Sequence, residues 1–303
     1  MSATIWDLLV CGSLNLDLVS QVPHLPQPGE TLAATALARL PGGKGLNQAV
    51  AAARYGAKVA MLGALGADSE GQMLRAVLEA EGIMHEGVAT LDHPTGLALI
   101  NVAAQGDNAI VIHGGANRVL SALQVQAAMR PARVYLAQLE VPLDALQVFF
   151  GTTPQQSSLR ILNAAPATND AIALLTQIDL LIVNEIELQQ LANPHTEHTD
   201  TLLGEDCAPL ARRLLTHSLR TVIVTLGAQG ARVIDADHDT PIAAPPVSVV
   251  DTTGAGDCFC GVLAAALAEG VPLIAAATRA VNAASQAVQA LGAIAAMPRR
   301  SRS

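Results

Sequence analysis

Apolar positions along the chain fall into short unbroken runs, separated by stretches with helical periodicity. IWDLLVCG (5–12) reads as a buried strand ending at a glycine, and LNLDLVS (14–20) alternates like a half-exposed strand. A Pro-rich loop, VPHLPQPGE (22–30), leads to a strand over 31–40. In PGGKGLNQAVAAARYG (41–56), glycines open an Ala-rich helix and Gly56 stands where a C-terminal cap belongs. A strand follows over 57–66, then a helix over 68–82 with Asp68 as its N-cap. Residues 95–113 read as a hairpin turning at QGDN, and GGANRVL as a loop before a helix capped by Ser121. Strands are then expected at 134–140, 159–166, 179–185 and 219–227, with helical stretches between them. Residues 193–206 read as a polar surface loop, and 231–250 as a hairpin plus a final strand leading to DTTGAGD.

Short continuous apolar strands separated by helices predict an α/β fold, a doubly wound and mostly parallel sheet with helices on both faces. The amphipathic strands of roughly 13–40 and 95–113 do not fit the alternation and predict a small accessory sheet. Neither an internal repeat nor a long linker divides the chain, so residues 1–303 are expected to form one domain. Ligands of open α/β sheets bind beyond the carboxyl ends of the strands. Asn15, Asp17, Glu140, Asn163, Asn184, Glu185, Thr225 to Gly227 and Asp251 to Asp257 all fall at such ends, which predicts one shared site.

Composition narrows the partners. Half the chain is apolar, but only 2% of it is aromatic, so the core must be aliphatic. The net charge of −9 argues against nucleic acid or an anionic membrane surface, which need clustered Lys and Arg. Neither a basic leader nor an unbroken apolar run of membrane-spanning length is evident. Cys11, Cys207, Cys258 and Cys260 form no CxxC pair and read as buried free thiols of a cytoplasmic protein.

DTTGAGD (251–257) carries the sharpest chemistry. Gly254 and Gly256 let the backbone turn tightly, and the N–H groups that follow would make an anion hole at a helix start. A carboxylate at Asp257 suits a base that takes a hydroxyl proton beside a transferring phosphoryl group. The plain alternative, a helix N-cap after a flexible turn, stays open at this point. PGGKGLN lacks the P-loop spacing; Gly42 and Gly43 would allow close approach to a polar small molecule, with Lys44 and Asn47 as donors. Asn15 and Asp17, two apart on a strand, share a face and suit vicinal hydroxyls. His195 and His198 have no third ligand at metal-site spacing, and the lack of GxGxxG removes most support for a dinucleotide enzyme.

GSLNLD (12–17), PGGKGLNQA (41–49), HGGAN (113–117), NAAPA (163–167), NE (184–185), TLGAQG (225–230) and DTTGAGD come in the order and approximate spacing of the PfkB carbohydrate kinases. From about residue 5 to 298 the chain resembles this family, and its ribokinase branch most. The resemblance implies a ribokinase-like fold with a β-sheet lid that also forms a homodimer interface. It implies ATP-dependent phosphorylation of a sugar hydroxyl, O5 for D-ribose, as in ribose catabolism. It carries Asp257 over as the catalytic base, with Gly254, Ala255 and Gly256 as the anion hole. Asn15, Asp17, Gly42, Gly43, Lys44, Asn47 and Glu140 match sugar-side positions. Asn184, Glu187, Thr225, Leu226, Gly227, Gly230, Gly256 and Asn282 match nucleotide-side positions. Asn184 and Glu185 would organise Mg²⁺ through water. Asp251, Thr253, Val288, Leu291 and Ala293 would hold an activating K⁺, partly through backbone, although Ala296 stands where the branch often has a serine ligand. The family's usual final helix is not expected after Pro298. Kinases for deoxyribose, fructose, a keto-deoxy sugar acid or a nucleoside are the alternatives, and the few aromatic residues count against a nucleoside pocket. A non-catalytic sugar-binding protein is a further alternative, against which Asp257 and its loop argue.

Overall fold

Successive side chains of a strand point to opposite faces, and the short apolar strands use both. In β1 (Trp6–Cys11), Leu8 and Val10 join one apolar cluster while Leu9 and Cys11 join another. The first cluster is closed by α1 (Lys44–Arg54), α2 (Ser69–Ala80), α7 (Ala255–Ala268) and α8 (Leu273–Ala287). The second is closed by α3 (Ala122–Ala128), α4 (Leu143–Gly151), α5 (Glu185–Ala192) and α6 (Cys207–Arg213). A strand buried on both sides must be apolar throughout, which is why these runs do not alternate.

The computed structural model describes residues 5–153, 158–193 and 207–300. The expected polar loop, with His195 and His198, lies outside them apart from Asn193. Nine strands form the main sheet, in the order β13 (Asp239–Ile242), β12 (Ala231–Ile234), β11 (Thr221–Thr225), β10 (Leu180–Asn184), β9 (Leu159–Asn163), β8 (Ala132–Gln138), β1, β4 (Val59–Gly66), β5 (Met84–Leu91). Pairing is parallel from β11 across to β5 and antiparallel at β12 and β13. The chain runs outward from β1 to β4 and β5, then returns to β8 on the other side. The strand order thus reverses between β1 and β8, where open α/β sheets bind ligands.

The second sheet has the order β3 (Ala36–Gly42), β2 (Asn15–Val22), β6 (Gly96–Ala103), β7 (Asn108–His113). The lid strands expected from amphipathic patterning are therefore present. β2 and β6 pair in parallel, and the 95–113 hairpin closes as expected. Leu37, Leu99, Ile110, Val111 and Ile112 of this sheet are exposed.

Caps appear where the sequence put them. Asp68 accepts from Gly71 N at 2.8 Å, and Ser121 makes a capping box with Gln124. Two expectations need correction. β5 was not expected; its mixed burial and internal Gly87 hide the period. Among the described residues no strand follows β13: 243–250 is irregular, and Pro245 and Pro246 have no N–H to offer a ladder. All four cysteines are free and buried. Among the described residues, no helix is long and apolar enough to cross a membrane.

Candidate active site

Helix α1 starts immediately after β3 and packs along α7. Gly45 lets the start of α1 press on the chain just after β1, since a Cβ there would lie 2.6 Å from Gly12 C and Ser13 N. Gly261 does the same on α7, where a Cβ would meet Gln48 O at 2.3 Å. The two helix starts thus meet over the carboxyl ends of β1 and β8.

Asp257 stands at that junction, 8% exposed. Its Oδ2 accepts from Asn47 Nδ2 and its Oδ1 from Gln48 Nε2, both at 2.9 Å. The N-cap of α7 is Gly254, in the left-handed region at φ 75°, and no side chain caps the helix. Asp257 is therefore not an N-cap, because its carboxylate is bonded by side chains of α1. Burial pushes its pKa up, against the opposing effects of Lys44, Asn47 and Gln48, and Glu140 adds to the rise. Of the expected anion-hole donors, Ala255 N already reaches Thr252 O at 3.2 Å. Among the described residues the N–H groups of Gly254, Gly256 and Asp257 have no backbone acceptor.

One flank carries the expected sugar residues. Asn15 is buried, and its Oδ1 accepts from Asn117 Nδ2 at 2.8 Å. Asn117 also bonds Leu14 N and Leu14 O, so the HGGAN stretch holds the start of β2. Gly42 pairs with Asn15 in the ladder, and a Cβ there would lie 2.1 Å from Asp17 Oδ2. Gly43, at φ 91°, caps α1 against the Asn15 backbone. Glu140 accepts from Ser13 Oγ and, at 3.2 Å, from Lys44 N, the first N–H of α1. Burial and the charges of Glu140 and Asp257 push Asp17 up to about 7.

On the other flank, two cavities share Thr225 and Gly256. The smaller, about 160 Å³, is polar and lined by Lys44, Asn163, Asn184, Glu187, Gly254 and Asp257 among others. Lys44 thus faces this cavity. Burial disfavours its charge, but Asp257, Glu140 and Glu187 prevail and raise its pKa. Glu187 is also raised, chiefly by burial. Asn184 and Glu187 form a capping box on α5, each bonding the other's backbone N–H at 2.8 Å. Glu185 does not line the cavity.

The larger cavity, about 380 Å³, is an apolar slot. Gly227, Gly230, Val247, Phe259, Val281 and Ser285 contribute to it. Two nucleotide-side expectations fall outside it. Asn282 is exposed, because Val281, Ala284, Ser285 and Val288 form the inward face of α8 at helical spacing and position 282 turns away. Leu226 is half-buried and packs its side chain against the apolar cluster beneath the sheet.

Behind the 254–257 turn, the two halves of the expected cation loop do meet. Asp251 Oδ1 accepts from Thr253 N and Oγ, and its Oδ2 accepts from Gly292 N at 2.8 Å. Burial works against the Asp251 charge, yet these bonds hold its pKa below the usual value. A Cβ on Gly254 would lie 2.7 Å from Ala293 Cβ, so the start of α9 (Ala293–Ala296) supports the turn directly. The Val288 carbonyl already accepts from Val250 N and Asp251 N, which makes it the weakest member of the expected ligand set. Leu291 lies one residue before Gly292 on the same segment.

Ser13, Gln48, Asn117 and Gln138 had no role assigned from sequence. Gln48 did leave a signal, a second amide beside Asn47 on an otherwise alanine-rich helix face.

The model of the pfkB family carbohydrate kinases matches residues 7–300. A ribokinase from Haemophilus influenzae is 36% identical over 86% of this chain and 85% of its own length. A ribokinase from Thermotoga maritima has a structure that superposes with a TM-score of 0.89 at 31% identity, covering 98% of this chain and 97% of its own. The Arabidopsis thaliana ribokinase, solved with ribose and ATP, superposes with a TM-score of 0.83 at 30% identity, covering 97% and 96% of the two chains. The matched region takes in both sheets and every element around Asp257, and on that ground the chain belongs to the pfkB family of carbohydrate kinases.

Proposed function

We propose that this chain transfers the γ-phosphoryl group of ATP to O5 of D-ribose. The observation that carries the reading is Asp257, a buried carboxylate between a flank of hydroxyl-binding groups and a polar cavity at a helix start. Asn15, Asp17 and Glu140 offer the hydrogen-bonding groups that vicinal hydroxyls need. Asp257 takes the proton of the attacking hydroxyl as its oxygen bonds the γ-phosphorus and the bond to the β–γ bridging oxygen breaks. The free N–H groups at the start of α7 and the Lys44 ammonium offset charge on the transferring group. The apolar slot suits a purine, and Gly256 joins it to the polar cavity without a side chain in the way. The ribokinase relatives, one of them solved with ribose and ATP, support the choice of sugar.

Among the described residues no group of three His, Cys, Asp or Glu side chains could hold a metal. A divalent ion carried mainly by phosphate oxygens and water fits that lining, with Asn184 and Glu187 as outer partners. A monovalent cation fits Asp251, Thr253 and the backbone of 291–293. The exposed apolar side chains of the lid sheet support a homodimer through the lid.

The test is ADP release from Mg²⁺·ATP across a panel of pentoses, hexoses, sugar acids and nucleosides, with and without K⁺. Strong preference for D-ribose is expected. Preference for another sugar keeps the kinase chemistry and overturns the substrate. Folded protein that turns over none of them overturns the reading in favour of a binding protein.

A further inference from the structure

Three amides form a buried line from the sheet to Asp257. Gln138 Nε2 donates to Gln48 Oε1 at 2.6 Å, and Gln48 Nε2 donates to Asn163 Oδ1 at 3.0 Å and to Asp257 Oδ1 at 2.9 Å. Asn163 Nδ2 donates to the backbone oxygen of Ile182 at 3.2 Å. Gln48 and Gln138 are completely buried, and Asn163 nearly so. Polar groups this deep are costly unless they serve each other.

The direction of the line is forced. A carbonyl such as Ile182 O only accepts, so Asn163 must turn its Nδ2 to it and its Oδ1 to Gln48. Gln48 must then present Nε2 there, which leaves its Oε1 facing Gln138. Gln138 must in turn present Nε2, and its own Oε1 is left buried with no partner. That orphan is what a locked line leaves behind. Gly12 leaves room for it, since a Cβ there would lie 2.0 Å from Gln138 Oε1. The main-chain carbonyl of β10 thereby fixes which face Gln48 shows to Asp257.

We propose that Gln48 is a positioning residue, locked by Gln138, Asn163 and Ile182 O so that a donor always faces Asp257 Oδ1. The inference rests on the reading of Asp257 as the general base. Gln48 cannot rotate its amide to accept from a protonated Asp257 without breaking the whole line. It therefore favours the carboxylate form that a base needs, against the burial that disfavours it. Asn47, on Oδ2, has a buried Oδ1 with no partner and is under no such lock. The other charged or titratable groups around Asp257 are Lys44 on α1, Asp17 on β2, Glu140 after β8, Glu187 on α5, and Cys258 and Cys260 on α7.

The test is kcat against pH at saturating sugar and nucleotide, so that covered Asp17 does not set the acid limb. Wild type, Gln48→Met, Asn163→Leu, Gln138→Met and Asp257→Asn are compared, with folding checked by circular dichroism. Gln48→Met keeps the side-chain length without a donor. Its acid limb is expected to move up by about one pH unit, a loss of about tenfold on that limb, with a smaller change on the plateau. Gln138→Met is expected to move the limb the same way by less. A purely structural loss would lower kcat at every pH and leave the limb in place. A folded Gln48→Met with the wild-type limb overturns the inference. If Gln48→Met does not fold, Asn163→Leu, which cuts Gln48 from Ile182 O, takes its place, and an unmoved limb in that variant overturns the inference. An inactive Asp257→Asn beside unmoved limbs leaves the base assignment standing and removes only the role of Gln48. An active Asp257→Asn overturns both.

Discussion

Asn47 Nδ2 lies 2.9 Å from Asp257 Oδ2, although 210 residues separate the two in the chain. The contact joins the start of α1 to the start of α7, and both helices open at a glycine. In Asp257→Asn the new amide would meet donors on both sides, and Asn47 can answer by turning its unpartnered Oδ1. The fold should therefore survive. kcat should fall about 10²–10⁴-fold, the contribution of a positioned general base. Steady-state kinetics beside a thermal melt separate the two effects.

Asp17 predicts a pH-dependent affinity. With its pKa pushed up to about 7, the carboxylate is half ionised near neutrality. If it accepts from sugar hydroxyls, the sugar KM should fall as pH rises from 6 to 8. Asp17→Asn should show a higher and flatter sugar KM, with the nucleotide KM nearly unchanged.

The same shift has a stability consequence. Between the ordinary value of 3.8 and about 7, the folded state holds a proton that the unfolded chain has released. Stability therefore falls as pH rises through that window, and the full penalty stands above pH 7. Asp17→Asn should raise the melting temperature at pH 8, by roughly 2–4 °C for each kcal/mol relieved, and leave it unchanged near pH 4. Melting curves at the two pH values decide.

Gly256 lines both cavities, and a Cβ there would meet nothing within 4 Å. Alanine favours a helix by about 1 kcal/mol over glycine, so Gly256→Ala should melt no lower than wild type. Its methyl group would project into the space that joins slot and polar cavity. ATP KM should rise about tenfold or more, a loss of at least ~1.4 kcal/mol in binding. Sugar KM should change little.

On the lid, Ile110, Val111 and Ile112 are each more than half exposed in succession on β7. Val111→Lys puts a charge in the centre of that strand. If the lid pairs two copies, light scattering should show a dimer in wild type and a monomer in this variant. A wild-type monomer at all concentrations would refute the lid interface.

The chain by itself determined the layers and the location of the candidate site. Short apolar runs are long enough to be strands and too unbroken for a one-sided sheet, so helices had to cover both faces. Amphipathic strands set the lid apart, and caps such as Asp68 and Ser121 act through neighbours three residues away. Those signals are local. β5 escaped because burial there is uneven, and the strand expected before DTTGAGD failed because two adjacent prolines cannot join a ladder. Tertiary structure decided what each candidate residue touches. It turned Asn282 out of the slot, Leu226 against the apolar cluster and Lys44 toward the polar cavity. It also assembled the amide line from β8, α1 and β9 behind Asp257. Hydrogen bonds across about 90 to 210 residues depend on which faces pack together, and a residue's spacing to its chain neighbours carries no record of that.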